Sequence, residues 1–253
     1  MRSVLVVGGG AAGCELAWGL AQRGVATTLL TTSLDTLYAL PADAWPCVPP
    51  SATLWSELAS EARDAAGRQR AGPLRRAAKR ELERLAQLRV VQSNVTGLLR
   101  GDAGGVVGVR TWEGPPVRAE RTVLAVGSFL GARLTLGPAV EHAGRLSEMA
   151  YDDLRDDLRD AGLRLRRHTV ALDGDGVAPP YAVEHDVVDA DELVPLRVGG
   201  RIVVGAGRAR RWSGLWFVGA CTGDVGIETA AAAGRDLAAH LAEAPSQGLS
   251  GSA

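Results

Sequence analysis

The sequence predicts an α/β fold in which a parallel sheet is covered by helices. Three stretches predict it. The chain opens on an unbroken apolar run, Val4 to Val7, that enters the loop Gly8-x-Gly10-x-x-Gly13 and then a helical segment. A second apolar run, Thr122 to Val126, ends on Gly127 in the same manner. The third, GLWFVGACTGDVGIETAAAAGRDLAAHL, residues 214–241, passes from an apolar strand through a glycine-rich turn into an alanine-rich helix. Strands buried on both faces read as continuous apolar runs, and they belong to parallel sheets.

The 253 residues suffice for one large domain or two small ones, and 46% are hydrophobic, so a sizeable core can form. The net charge of −1 leaves no overall nucleic-acid footprint. No run of eighteen apolar residues occurs, so no membrane span is expected. The N-terminus enters a strand directly, without the pattern of a signal peptide. Cys14, Cys47 and Cys221 are few and odd in number and read as free thiols, which suits a cytoplasmic protein.

In the first turn each glycine has its own task. Gly8 permits the tight turn, Gly10 lets the backbone approach a pyrophosphate, and Gly13 lets helix and strand pack closely. The helix that follows offers the N–H groups of Ala11, Ala12 and Gly13 and a positive dipole end to phosphate. Leu16 and Leu20 form its inner face, and Gly24 stops it. This is the Rossmann-like dinucleotide turn in its required strand–helix context.

The second strand raises a question. A carboxylate about 20 residues beyond the glycines normally takes the ribose hydroxyls of a dinucleotide. Here TTLLTTSLDT, residues 27–36, ends its strand on Thr31 and Thr32. These offer hydroxyls without charge, and no arginine for a 2′-phosphate lies between Gly24 and Asp43. Asp35 comes slightly late and reads as a turn or helix cap.

Residues 51–87 have a helical pattern, with Arg76, Lys79 and Arg80 on one side; such a basic face could meet RNA phosphates, but it reads as a solvated face supported by Arg/Glu pairs. From Val90-Val91 onward, short alternating segments broken by Gly and Pro suggest an antiparallel meander. Thr122 to Val126 then returns to the parallel sheet. A meander followed by such a return is associated with FAD-binding domains. In the C-terminal turn the helix starts near Gly226-Ile227, and its N-terminus suits the acceptor oxygens and anionic reduced form of a flavin. Asp224 either accepts from a ribityl hydroxyl or caps the helix.

Four segments together resemble the FAD domain of the tRNA-uridine-modifying flavoproteins called GidA or MnmG and their folate-dependent relatives. VVGGGAAGCELA (6–17) resembles that family's glycine loop, and LLTTSLDTLYAL (29–40) its second-strand end, which also lacks the usual acid. TVLAVGSFLGARLTLG (122–137) and GACTGDVGIETAAAAG (219–234) are similar to its later glycine motifs. The resemblance implies FAD as the ligand, with Gly8, Gly10, Gly13, Gly127, Gly226 and Glu228 at matching motif positions. With Ala11, Ala12, Thr31, Thr32, Asp224 and Ile227 these form the expected cofactor-binding set. The chain departs from the pattern at Ala220, where the family has Gln, and at Asp224, where it commonly has Thr. The family's Cys-Asn-Pro-Ala-x-Gly-Gly is replaced by YALPADAWPCVPP (38–50), which puts Cys47 out of register.

Residues 132–214 are the least assigned. SEMAYDDLRDDLRDAG reads as a helix with Ser147 as N-cap, Leu154 and Leu158 inward, a solvent-facing Asp/Arg side and Gly162 as its stop. GAGRARRW (205–212) has no helix after its glycines and reads as a basic surface turn. His142, His168, His185 and His240 lack metal-ligand spacing. Cys14 reads as a packed thiol, and so does Cys221, although its place in the turn expected to face the flavin makes it the best redox candidate among the cysteines.

The expectation is a single FAD/NAD(P)-binding Rossmann-like domain over 1–243, with an inserted antiparallel meander, a small inserted subregion at about 132–214 and a disordered tail over 244–253. The expected activity is that of an FAD-dependent oxidoreductase. A non-enzymatic FAD-binding accessory or sensor protein, acting with a partner protein, is the alternative. A NAD(P)-dependent enzyme fits less well, because the acid is absent and the C-terminal turn is of flavin type. tRNA is a further candidate partner through the resemblance.

Overall fold

Val4 and Val6 face one side of the first strand while Leu5 and Val7 face the other, and all four are buried in two separate apolar clusters. The period of two divides each central strand between two covering layers. The computed structural model describes residues 3–42, 44–172 and 180–244.

Strand β1 (Ser3–Val7) leads into helix α1 (Ala11–Gln22) and strand β2 (Ala26–Thr31). Leu16 and Leu20 are fully buried. A two-residue strand β3 (Ala44–Trp45) follows, then helix α2 (Leu54–Ala62), strand β4 (Gln69–Arg70) paired with β3, and helix α3 (Ala71–Glu83). The helical pattern over 51–87 is therefore interrupted. Asp64 accepts hydrogen bonds from the backbone of Ala66 (3.0 Å) and Arg68 (2.9 Å), a local turn that competes with the helix. On α3, Lys79 pairs with Asp35 at 3.5 Å and Arg80 with Glu61 at 2.8 Å, as a solvated, ion-paired face should.

Strand β5 (Leu88–Gln92) pairs parallel with β2, Thr27 opposite Leu88. Val90 and Val91 thus belong to the parallel sheet and not to the meander. The meander itself is β6 (Val95–Arg100), β7 (Val106–Thr111) and β8 (Val117–Arg118), all antiparallel. Strand β9 (Arg121–Leu124) returns beside β1 in parallel, as the sequence predicts.

Beyond β9 come β10 (Arg133–Leu136), β11 (Ala139–Glu141) and a hairpin of β12 (Ala143–Arg145) and β13 (Glu148–Met149). Helix α4 (Asp152–Asp160) follows, then β14 (Leu165–Leu172) and β15 (Tyr181–Val188). Strands β11-β10-β15-β14 form a second, antiparallel sheet. Ser147 does not cap α4. It sits in the hairpin turn with φ +62°, and Tyr151 is the N-cap, because the backbone of 143–149 is committed to the hairpin. Leu154 and Leu158 are fully buried, as expected. The Asp/Arg side of α4 is not simply solvated. Asp157 accepts from Leu98 N at 2.9 Å and pairs with Arg110, and Arg159 reaches the buried Asp186 at 2.9 Å.

The chain then rejoins the main sheet through β16 (Leu193–Val198), β17 (Arg201–Ala209) and β18 (Leu215–Val218), and ends in helix α5 (Ile227–Glu243). The order is β16-β17-β18-β9-β1-β2-β5. GAGRARRW is thus largely strand β17, paired with β16 and β18, and not a surface turn. Its Trp212 carries the Arg100 guanidinium 5.6 Å from the ring centre. Two strands of the segment 132–214 therefore belong to the main sheet, and the remainder forms the added layer. The tail expected after residue 244 lies outside the described residues. No described helix is long and apolar enough to cross a membrane.

Candidate functional site

Strands β18, β9, β1 and β2 run parallel, so their C-terminal ends share one edge of the sheet. The chain leaves β1 toward β2 on one side, and β9 joins on the other. Ligands of open α/β sheets bind at such a reversal point. A cleft of about 110 Å³ lies there, walled by Gly8–Gly10, Thr31, Thr32 and Ala125–Gly127.

The glycine loop is built as its spacing requires. Gly8 has φ +109°, and a Cβ on it would stand 2.4 Å from Ala125 O. A Cβ on Gly13 would stand 1.9 Å from Gly8 O, so helix and loop touch through backbone alone. Gly10 differs, because no described atom lies within 4 Å of its Cβ position. It is the N-cap of α1 and makes no side-chain cap bond, so no side chain caps the first N–H groups of the helix, from Ala11 to Gly13. The three residues are themselves buried, and what they offer a ligand is backbone.

At the end of β2, Thr31 donates to Ser33 O at 3.1 Å, and the Thr32 side chain hydrogen-bonds Tyr151. Tyr151 is buried, which pushes its phenol well above the ordinary range. Phe129, Arg145, Glu148 and Tyr151 complete the cleft from the far side, together with Thr36 and Ala39 of the β2 exit loop. None of these was expected from the sequence. Thr36 Oγ1 donates to Glu148 Oε2 at 3.1 Å, and Arg145 Nε stands 3.4 Å from Glu148 Oε1.

A second glycine-rich turn arrives from β18. Gly219 packs against Ala12, with 3.1 Å between Ala12 Cβ and its own Cβ position. Gly226 caps α5 without a side-chain bond, so this helix also presents bare N–H groups. Asp224 is exposed and is not the cap, which removes the capping alternative. Ile227 packs on the main core. Glu228 accepts from Trp45 Nε1 at 2.9 Å and is hydrogen-bonded to Cys47. Burial and the Glu228 charge push the Cys47 thiol up to about 11. Cys47, out of register in sequence, is thus brought to the N-terminus of α5 by the β3 segment. Of the expected set, Gly8, Gly10, Thr31, Thr32 and Gly127 line the cleft, while Asp224, Gly226, Ile227 and Glu228 belong to this second turn.

The other cysteines are packed thiols. Cys14 donates to Gly9 O at 3.1 Å, and burial raises it far above the ordinary range. Cys221 lies 3.4 Å from both Leu124 O and Val218 O and is pushed up to about 12 by burial. Among the described residues no three His, Cys, Asp or Glu side chains gather as a metal site. Behind the cleft, the fully buried Glu15 of α1 accepts from Leu54 N (2.7 Å), Trp55 N (3.0 Å) and the Tyr38 hydroxyl. It ties α1 to the start of α2 and fixes the loop that carries Thr36.

An open glycine turn at a helix N-terminus is thus paired with a second such turn on the same edge of the sheet. The family profile described as "Glucose inhibited division protein A" matches residues 3–52 and 61–173. The tRNA uridine 5-carboxymethylaminomethyl modification enzyme MnmG of Synechocystis is 31% identical over 224 residues, covering 76% of this chain and 33% of that protein. The enzyme of the same name from Thermus thermophilus is 32% identical over 220 residues, covering 77% and 36%. The chain thus spans about a third of these relatives. The crystal structure of the GidA-related protein from Thermus thermophilus superposes with a TM-score of 0.80 at 39% identity, covering 95% of this chain and 97% of that one. Aquifex aeolicus GidA shares the fold, with a TM-score of 0.79 at 17% identity, covering 95% of this chain and 62% of that one. The sequence motifs, the cleft and these matches converge: the chain belongs to the GidA family of Rossmann-like flavoprotein folds.

Proposed function

We propose that this chain binds FAD along the C-terminal edge of its parallel sheet and acts as a flavin-dependent oxidoreductase related to the tRNA-modifying enzymes. The observation that carries this reading is the pair of uncapped helix N-termini, at Gly10 and Gly226, on one edge of one sheet. Gly10 and the N–H groups of Ala11 to Gly13 hold the pyrophosphate. Thr31 and Thr32 face the adenosine half, and Gly127 lies beneath it. The turn with Asp224, Gly226, Ile227 and Glu228 meets the flavin. Bound FAD supplies the electron-transfer chemistry, and the protein orients it and sets its electrostatics. The dipole of α5 favours negative charge at the flavin end.

A second reading, an FAD-binding accessory or sensor protein working with a partner, is favoured by the thiols. Cys47 is raised to about 11 and Cys14 and Cys221 are buried, so no described cysteine is poised as a thiolate nucleophile. The site of action is the cytoplasm, and tRNA is the candidate substrate by analogy with the relatives' names.

The first test is the visible spectrum of the purified protein, with heat release and chromatographic identification of the ligand. A flavin spectrum and released FAD are expected. A colourless protein that refuses added FAD overturns the reading. Anaerobic addition of NADH or NADPH then separates the two roles. Bleaching of bound FAD supports the oxidoreductase, and an unchanged spectrum supports the accessory protein. A tRNA gel-shift tests the substrate analogy.

A further inference from the structure

We propose that Glu148, delivered by the inserted hairpin, takes the place of the acid missing from the end of β2 and binds the adenosine ribose hydroxyls of the dinucleotide. The inference rests on the FAD reading above and deepens it. Strand β2 ends in two threonines, and Asp35, the only nearby acid of that segment, points elsewhere: its side chain is 93% exposed and pairs with Lys79. Among the described residues that line the cleft, Glu148 is the one carboxylate. It is remote in sequence, 112 residues from Thr36, yet bonded to it.

The carboxylate is already oriented. Oε2 accepts from Thr36 Oγ1 at 3.1 Å, and Oε1 faces Arg145 Nε at 3.4 Å. Each oxygen has two acceptor sites, so both retain capacity for a hydroxyl donor. The Glu148 side chain is only 14% exposed, so a hydroxyl bonded there competes with little water. A vicinal diol suits such a group, since two O–H donors meet two oxygens. Arg145 balances the negative charge and limits its repulsion of a pyrophosphate. Hydrogen bonds to an ionised group exceed neutral ones by roughly twofold in strength.

The test is titration of the deflavinated protein with FAD and with an FAD analogue whose adenosine lacks the 2′-hydroxyl. The wild type should bind FAD about ten- to a hundredfold tighter than the analogue. Glu148→Ala should lose a similar factor for FAD and little for the analogue. Glu148→Gln, which keeps the size and an acceptor for Thr36, should show reduced preference for FAD, and it decides the matter if the alanine variant fails to fold. Equal loss for both ligands would assign Glu148 to holding the hairpin and overturn the proposal, as would unchanged FAD affinity in both variants. A wild type that binds neither ligand overturns the FAD reading itself, a result distinct from either.

Discussion

The two halves of this molecule are held together by different physics. In the glycine-turn half, α1 and α5 approach through backbone: a Cβ on Gly234 would lie 2.3 Å from Ala12 O, as a Cβ on Gly13 would lie 1.9 Å from Gly8 O. In the added half, β14, β15 and α4 are joined by arginines to carboxylates. Asp186, fully buried, meets Arg159 at 2.9 Å and Arg167 at 3.2 Å, whose side chains are 49% and 39% exposed. The first arrangement leaves no room for a side chain and gives a rigid edge for a cofactor. The second is solvent-exposed at its cationic ends, where a side chain has room to shift. The difference explains why the motif-bearing half is readable and the other is not.

That contrast can be broken in order of effect. Gly13→Val should abolish cooperative folding, since the side chain meets backbone that cannot yield; overpacking alone costs about 1–3 kcal/mol or more. A melt by circular dichroism near the wild-type midpoint would refute the close-packed reading. Gly10→Val is the matched control in the same loop. It should fold normally and lose its flavin, and a variant that keeps the flavin would move the site. Asp186→Ala should be milder, roughly 1–2 kcal/mol, because both arginines can return to water. A loss comparable to that of Gly13→Val would show that the added layer is as rigid as the cradle.

The smallest and most discriminating contrast is in pH. Burial raises Glu15 to about 7 from 4.5, so the folded protein keeps a proton that the unfolded chain releases. Its contribution is full below pH 4.5 and is lost as pH rises through 7. His185, in the added layer, is lowered to about 4 from 6.5 by burial, with weaker repulsion from His168 and Arg167. There the unfolded chain binds the extra proton, so stability falls as pH drops from 6.5 through 4. The two trends oppose one another in the wild type. Glu15→Gln should leave a melting temperature that rises with pH across that window, and His185→Phe one that falls. Parallel profiles for the two variants would refute the assignment.

The elements legible in the sequence are those whose signals are local. Val4–Val7 with its glycines, Thr122–Val126 and the β18–α5 turn each carry apolar run, turn and helix within about thirty residues, and all three fall where the sequence places them. Ser147 misled because a capping residue and a hairpin turn residue share one chemistry, and only pairing of Ala143–Arg145 with Glu148–Met149 decided between them. Val90 and Val91 misled because β5 is the edge strand of the parallel sheet, so it is half-exposed and without the long apolar run of the central strands.

The sequence by itself determined the α/β class, the FAD-type arrangement and the two helix N-termini, because phosphate binding by backbone demands glycine at fixed spacing. Only the tertiary structure decided what stands opposite them. Arg145 and Glu148 come from a hairpin, Tyr151 from the N-cap of α4 and Cys47 from a loop, segments whose local patterns carry no hint of that destination. Side chains that meet across more than a hundred residues leave no periodicity in either segment, so their meeting is a property of packing and not of spacing.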